Sequence, residues 1–252
     1  MLVLGSRAPV TKLSINLNKF ALLRNSRGGR MPDVLDMARR CLAAGADGIT
    51  VHPRPDQRHT RYSDVRDLSR LIRRQPGAEL NVEGEPSEQF IDLVLEARPQ
   101  QCTLVPDAPE QLTSDHGWDV VANAQRLGVV IARLREAGIR VSLFLDPVLE
   151  QVAAAAETRA DRIELYTAAY AEAFETSDPT AVVARYRDAA RRASELGLGV
   201  NAGHDLNLKN LGFFFQHVPN VLEISVGHAF VCESFDFTLE GTLARYLAIV
   251  RP

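Results

Sequence analysis

Short β-rich runs recur along the whole chain, separated by stretches of helical spacing. The runs are Leu13–Leu17 (LSINL), Gly48–His52 (GITVH), Glu79–Glu83 (ELNVE), Cys102–Val105 (CTLV), Arg140–Leu145 (RVSLFL), Arg162–Tyr166 (RIELY), Gly199–Ala202 (GVNA) and Val221–Val226 (VLEISV). Several are nearly continuous in apolar residues, as strands buried on both faces are. Between them, Pro32–Ala44 carries apolar residues at Val34, Leu35, Met37, Ala38, Cys41 and Leu42, with Gly45 as its stop. Ser63–Arg73 has a serine at the N-cap position and an apolar face of Val65, Leu68, Leu71 and Ile72. Ser87–Ala97, Val120–Ala137, Leu149–Thr158, Pro179–Leu196 and Phe237–Val250 read as helices in the same way. AGADGI (Ala44–Ile49), EAGIRVSL (Glu136–Leu143) and ELGLGVN (Glu195–Asn201) each place a glycine where a helix stops and a strand begins.

Strand and helix in alternation require a mainly parallel sheet. Eight such units in 252 residues favour a closed (β/α)8 barrel of the TIM type, an α/β fold, over a doubly wound open sheet. An open sheet wants a glycine-rich fingerprint after its first strand. The segment after Leu17 reads NKFALLRNSRGGR, and its Gly28 and Gly29 lack that spacing. No linker or low-complexity tract interrupts the pattern, so one domain over residues 1–252 is expected. One connection stands out: Pro106–Trp118 (PDAPEQLTSDHGW) is long, polar and proline-rich, and it follows the fourth strand as a lid or binding loop would.

Composition narrows the partners. Hydrophobic residues at 46% can build a core, and a net charge of −3 argues against a nucleic-acid binder. Cys41, Cys102 and Cys232 form no CxxC pair or disulfide framework, which suits a reducing cytoplasm. The apolar start MLVLG is too short for a signal peptide, and no apolar stretch is long enough to span a membrane.

Barrel enzymes carry their chemistry at the C-terminal ends of the strands. Here those ends supply Asn16, Asn18 and Lys19, then His52, Arg54, Arg58 and His59, then Asn81 and Glu83. Asp146 follows, then Glu164 and Thr167, then Asn201, Gly203 and His204, then Gly227 and His228. His116 in the long loop brings five of the six histidines to one rim, leaving His217 elsewhere. Taken singly, each has a structural reading: an asparagine can satisfy backbone groups, and a buried glutamate can pair with an arginine. Taken together, clustered carboxylates and imidazoles are costly to bury unless they pair or bind something, and they shift one another toward acid–base competence. Arg24, Arg27, Arg30, Arg54 and Arg58 crowd the same rim. Their charge opposes a metal ion and suits phosphorylated substrates. The Gly203-His204 and Gly227-His228 steps follow strands seven and eight, where barrels commonly bind phosphate.

These residues carry a resemblance over nearly the whole chain. INLNKFALLRNSRGG (Ile15–Gly29), AGADGITVHPRPDQRHT (Ala44–Thr60), LNVEG (Leu80–Gly84), IELYTAAYA (Ile163–Ala171), GLGVNAGHDLNLKN (Gly197–Asn210) and EISVGHAF (Glu223–Phe230) resemble the pyridoxine 5′-phosphate synthase family. The resemblance implies a barrel with extra helices, an octamer, and no metal or organic cofactor. It implies condensation of 1-deoxy-D-xylulose 5-phosphate with 3-amino-2-oxopropyl phosphate to pyridoxine 5′-phosphate, phosphate and water. By the matching motifs, His52 and Glu83 are the general bases, His204 the proton donor and Glu164 the residue that stabilises charge. Arg54, His59 and Thr113 would hold the first substrate; Asn16, Arg24, Gly227 and His228 would hold the second.

The chain departs from the family pattern at named positions. Many members read N-x-D-H where this chain has Asn16-Leu17-Asn18-Lys19, a glycine is frequent at Asp205, and Tyr166 replaces a common histidine. Asn18, Lys19 and Asp205 are counted with the substrate-binding residues. Two other readings stay open at this stage. One is a catalytically silent relative that binds phosphorylated metabolites. The other is a barrel aldolase or isomerase acting on another sugar phosphate, with Lys19 as its Schiff-base lysine.

Overall fold

The computed structural model describes residues 10–108, 110–176 and 178–251. Eight parallel strands close on themselves: β1 (Lys12–Asn16), β2 (Gly48–Val51), β3 (Glu79–Gly84), β4 (Gln101–Leu104), β5 (Arg140–Leu145), β6 (Arg162–Tyr166), β7 (Gly199–Gly203) and β8 (Val221–Val226). Closure shows in the register, where Ile15 of β1 pairs with Ile49 of β2 on one side and Val226 of β8 on the other. The barrel expected from the strand–helix alternation is therefore formed.

The helices are α1 (Asn18–Asn25), α2 (Val34–Ala43), α3 (Tyr62–Ile72), α4 (Glu88–Ala97), α5 (Val120–Glu136), α6 (Leu149–Glu157), α7 (Ala168–Thr176), α8 (Pro179–Glu195), α9 (Leu211–His217), α10 (His228–Phe237) and α11 (Leu239–Val250). Four of them correct the sequence reading. The segment after Leu17 holds a helix, α1; α7, α9 and α10 were not anticipated either; and the expected Phe237–Val250 helix starts at Leu239, after α10 has ended at Phe237. Thr238 takes φ 61, ends α10 at Phe237, and caps α11 through an oxygen that accepts from the Gly241 N–H at 3.2 Å. α3 starts earlier than expected. Arg61, not Ser63, is its N-cap residue, and the Asp64 carboxylate accepts from the Arg61 N–H at 2.8 Å.

The sheet is buried on both faces, but the two faces differ in kind. Leu13, Ile15, Ile49, Val51, Leu80, Val82, Val141, Leu143, Ile163, Leu165, Ile224 and Val226 belong to the apolar core that the helices cover. The alternate positions Ser14, Thr50, Asn81, Gln101, Thr103, Glu164, Asn201 and Glu223 are buried polar groups. Gln101 Nε2 on β4 donates to Glu223 Oε1 on β8 at 3.3 Å, and Thr103 Oγ1 donates to Glu164 Oε2 on β6 at 3.3 Å. Neither pair of strands is adjacent, so these bonds cross the lumen. The barrel interior is thus a hydrogen-bonded polar column. At its floor Lys12 and Arg140 both pair with Glu79, and Arg162 faces Glu223 at 3.7 Å. An orphan in such a column costs about 1–3 kcal/mol, and the Ser142 hydroxyl on β5 is buried without a partner among the described residues.

The cysteines are free, with Cys41 and Cys102 buried and Cys232 exposed. Burial pushes the Cys41 thiol up to about 12, which leaves it inert at neutral pH. Among the described residues, no helix is long and apolar enough to cross a membrane.

Candidate active site

The upper end of the polar column opens into a cavity of about 430 Å³. Asn16, Asn18, Lys19, His52, Arg54, His59, Glu83, Thr113, Glu164, His204, Asp205, Gly227 and His228 line it. Of the residues given a catalytic or substrate-binding role from the sequence, all but Arg24 are brought there, whereas Asn81, Asp146, Thr167, Asn201 and Gly203 from the strand ends do not line it. Arg58, Val105, Leu112, Ser114, Phe144 and Ser225 complete the wall. Val105 and Phe144 are apolar, and nothing in the strand pattern separates them from core residues.

Arg24 does not line the cavity. It is buried on the inner face of α1, and its two terminal nitrogens donate to both oxygens of Asp64 at 2.7 and 2.8 Å. It also donates to the His59 carbonyl at 3.2 Å and to Asn25 Oδ1 at 3.1 Å. With its fork so engaged, Arg24 braces the β2–α3 loop against α1. Two other rim arginines are also compensated: Arg54 pairs with Asp107, and Arg58 with Asp56 at 2.7 Å. Lys19 stands exposed at the lip. His116 lies outside the cavity wall, exposed beside Asp115, and His217 stacks on Phe213 at 4.0 Å between ring centres.

Asn18 braces the same wall. Its Oδ1 accepts from the His52 N–H and from Thr60 Oγ1, both at 2.9 Å. The His52 and His59 rings meet edge to face, 6.2 Å between centres. Burial is the main cause that pushes the His52 imidazole well below its usual range, with the charges of Arg54, His59 and Arg58 adding to it. Burial likewise pushes His59 down to about 4, helped by Arg54, Lys19 and Arg58. Both rings are neutral at pH 7, so His52 is ready to accept a proton.

The carboxylates move the other way. Burial pushes Glu83 well above the usual carboxylate range, Glu164, Asp107 and Glu223 add to this, and Arg54 opposes it. Burial pushes Glu164 up to about 8, reinforced by Glu223 and opposed by the Thr103 hydroxyl. Two acids beside one another thus hold protons that isolated carboxyls would have lost. Gly203 makes room for Glu164, since a Cβ there would lie 2.6 Å from Glu164 Oε1.

A stability prediction follows from the raised Glu164. The native state holds this proton more tightly than the unfolded chain, so the stabilisation is complete below pH 4.5 and is lost as pH rises toward about 8. Glu164→Gln, neutral at every pH, is expected to match or fall below the native melting temperature near pH 5. It should exceed it increasingly toward pH 8. A difference that stays flat in a pH-series of thermal melts would contradict the assignment.

Two features suit anionic groups. α10 starts at His228, directly after Gly227 at the cavity wall, and no side chain caps its first turn. Its leading N–H groups are therefore open to an anion. The long loop after β4 arches over the mouth through Leu112, Thr113 and Ser114. It is pinned at its far end by the buried Trp118, whose Nε1 donates to the Leu104 carbonyl at 3.0 Å. Among the described residues, no three His, Cys, Asp or Glu side chains are grouped to hold a metal ion.

The barrel is shared with distant enzymes. 3-Keto-L-gulonate-6-phosphate decarboxylase from Vibrio cholerae superposes with a TM-score of 0.65 at 11% identity, covering 95% of this chain and 97% of that one. Tryptophan synthase from M. tuberculosis superposes with a TM-score of 0.66 at 14% identity, covering 97% and 94%. At such identities these likenesses speak for the fold alone. Sequence relatives are much nearer. A pyridoxine 5′-phosphate synthase from Christiangramia forsetii is 51% identical over 242 residues, covering 96% of this chain and all of the relative. One from Xanthomonas campestris is 53% identical over 247 residues, covering 95% and 96%. The model of the family described as "Pyridoxal phosphate biosynthesis protein PdxJ" matches residues 13–252. With the barrel, its rim cavity and near-complete coverage in agreement, the chain belongs to the PdxJ family of pyridoxal phosphate biosynthesis proteins.

Proposed function

We propose that the rim cavity is the seat of a pyridoxine 5′-phosphate synthase reaction, the activity for which the curated relatives are named. The reaction condenses 1-deoxy-D-xylulose 5-phosphate with 3-amino-2-oxopropyl phosphate and releases phosphate and water. The observation that carries this reading is the meeting of neutral His52, proton-holding Glu83 and Glu164, and His204 on the wall of one cavity. Schiff-base formation, enolisation, phosphate loss and ring closure each move a proton, and several poised groups are needed to move them.

In this reading the second substrate's phosphate sits on the open first turn of α10, at Gly227 and His228, with Asn16 beside it. Arg54, His59 and Thr113 take the phosphate and hydroxyls of the deoxyxylulose. His52, buried and neutral, abstracts a proton from carbon. Glu83 enters the cycle carrying a proton. A cationic imine forming beside it favours the carboxylate, so Glu83 passes its proton to the departing carbinolamine hydroxyl, which leaves as water, and then acts as a base. Glu164, still protonated near pH 7, is the charge-stabilising residue in this reading, through the proton it can offer to negative charge developing on an enol oxygen. His204 returns a proton to the leaving oxygen. The octamer and a cytoplasmic location belong to the same proposal and rest on the family resemblance.

The open alternatives are less well supported. A Schiff-base lysine wants a desolvated wall, whereas Lys19 is exposed at the lip. A silent relative has no use for carboxyls held protonated by burial and by acidic neighbours. The test is the reaction itself. Native protein with both phosphorylated substrates should yield pyridoxine 5′-phosphate and one equivalent of phosphate. A folded protein that yields neither overturns the proposal.

A further inference from the structure

We propose that Asp205 is a positioning residue, not a substrate ligand: it grips the Nδ1 side of the His204 ring and turns Nε2 toward the reacting atoms. The inference rests on the reading of His204 as the proton donor.

Asp205 Oδ2 lies 2.9 Å from His204 Nδ1, while Nε2 lies 3.2 Å from Thr113 Oγ1 on the loop that arches over the cavity. The Tyr166 ring meets the imidazole edge to face, 4.9 Å between centres and 74° between planes. Two positions where this chain departs from the family pattern thus converge on one imidazole. The backbone beneath them is strained. His204 takes φ 82 and Asp205 takes φ 60, two successive non-glycine residues in the left-handed region. The surroundings enforce that conformation. Thr167 Oγ1 donates to the carbonyls of Gly203 (2.8 Å) and His204, and Asn210 Nδ2 donates to the Asp205 carbonyl at 3.1 Å. Glycine would follow this path with less strain. What the aspartate adds is its carboxylate, and that carboxylate points at the ring.

Charge supports the same role. Asp205 is held below the usual carboxylate range first by its hydrogen bond to His204, against burial, with the nearby His204, His228 and Lys19 lowering it further. It therefore stays ionised, as a partner for Nδ1–H must. A carboxylate facing the cavity would repel a phosphate, and this one is engaged with the imidazole instead. In an imidazole, the hydrogen bond made by one nitrogen sets the role of the other. A carboxylate on Nδ1 fixes the tautomer that presents Nε2.

Asp205→Gly and Asp205→Asn test this. The His204 ring is read by ¹H–¹⁵N NMR at a pH where it is neutral, its signals assigned by their loss in His204→Asn. Native protein should show one tautomer, protonated on Nδ1. Asp205→Asn should weaken that preference, because an amide can turn its NH2 group to Nδ1 in place of its oxygen. Asp205→Gly should show a mixture, with kcat down about tenfold or more, KM little changed and a melting temperature no lower than native. An unchanged tautomer in Asp205→Gly, an unchanged kcat, or a loss confined to KM overturns the proposal. If the native protein forms no product, the functional reading fails, yet the NMR spectra and melts still decide whether Asp205 sets the ring.

Discussion

Replacing Glu83 by glutamine is expected to leave the fold standing and to remove turnover, lowering kcat by roughly 10²- to 10⁴-fold, the range a single acid–base group contributes. The substitution keeps shape and can keep the contact with Asn16, whose Nδ2 lies 3.4 Å from Glu83 Oε2. It removes only the exchangeable proton. Stability should move the other way. Burial and the neighbouring Glu164, Asp107 and Glu223 raise the Glu83 carboxyl, so the native state loses stability as pH rises through that raised value. A neutral amide escapes this, and Glu83→Gln should melt no lower than the native protein at pH 8. Near-native kcat would remove Glu83 from the mechanism. A collapsed melt with lost activity would make it a structural residue instead.

The second large effect lies in the pair between Arg54 and Asp107. Their side chains are only 3% and 2% exposed, and the Ser114 hydroxyl donates to the same Asp107 Oδ2 at 2.7 Å. Arg54→Met strands a buried carboxylate and should cost about 3–5 kcal/mol, the usual range for breaking such a pair. In a chain of this size that is a fall of roughly 6–20 °C in melting temperature. The double variant Arg54→Met with Asp107→Leu removes the stranded charge, so most of the stability should return. Activity should not return with it. Losing a charge-assisted contact to substrate phosphate costs about 1.5–3 kcal/mol, some 10- to 100-fold in kcat/KM. The acid–base groups shift as well: Arg54 holds His52 and His59 down and opposes the rise of Glu83, so its loss lets all three climb. Recovery of both stability and activity in the double variant would show that Arg54 serves the fold alone.

The barrel was legible because its signals are local. Each buried strand is a short run, each covering helix carries its own apolar stripe, and glycines such as Gly45, at φ 109, mark the joints. The polar lumen was legible too, in the alternation of LSINL and ELNVE, but the apolar half of each run drew the reading toward uniform burial. α1 was missed because its stripe is poor: Leu22 and Leu23 are exposed, and the buried face runs from Phe20 and Ala21 to an arginine. That same spacing puts Arg24 one turn beyond Phe20, on the packed side, where Asp64 claims it. The carboxylate was out of reach of sequence reasoning because it sits forty residues away. The residues that line the cavity were legible for the opposite reason. In a closed parallel barrel all C-terminal strand ends share one rim, so a position at a strand end is already a position in space. What the strand ends did not disclose is how the rim charges pair, and therefore which cations remain for substrate. His116 shows the same limit: its loop reaches the rim, but its side chain stays outside the cavity.

The central claim is that one cavity at the mouth of this barrel holds both phosphorylated substrates among His52, Glu83, Glu164 and His204. A crystal structure of the Glu83→Gln variant soaked with both substrates tests it most directly. The account predicts one phosphate on the N–H groups at Gly227 and His228, the other beside Arg54 and His59, and the reacting carbons between Glu83 and His204. Substrate bound elsewhere on the molecule, with this cavity empty at saturating concentrations, would contradict it.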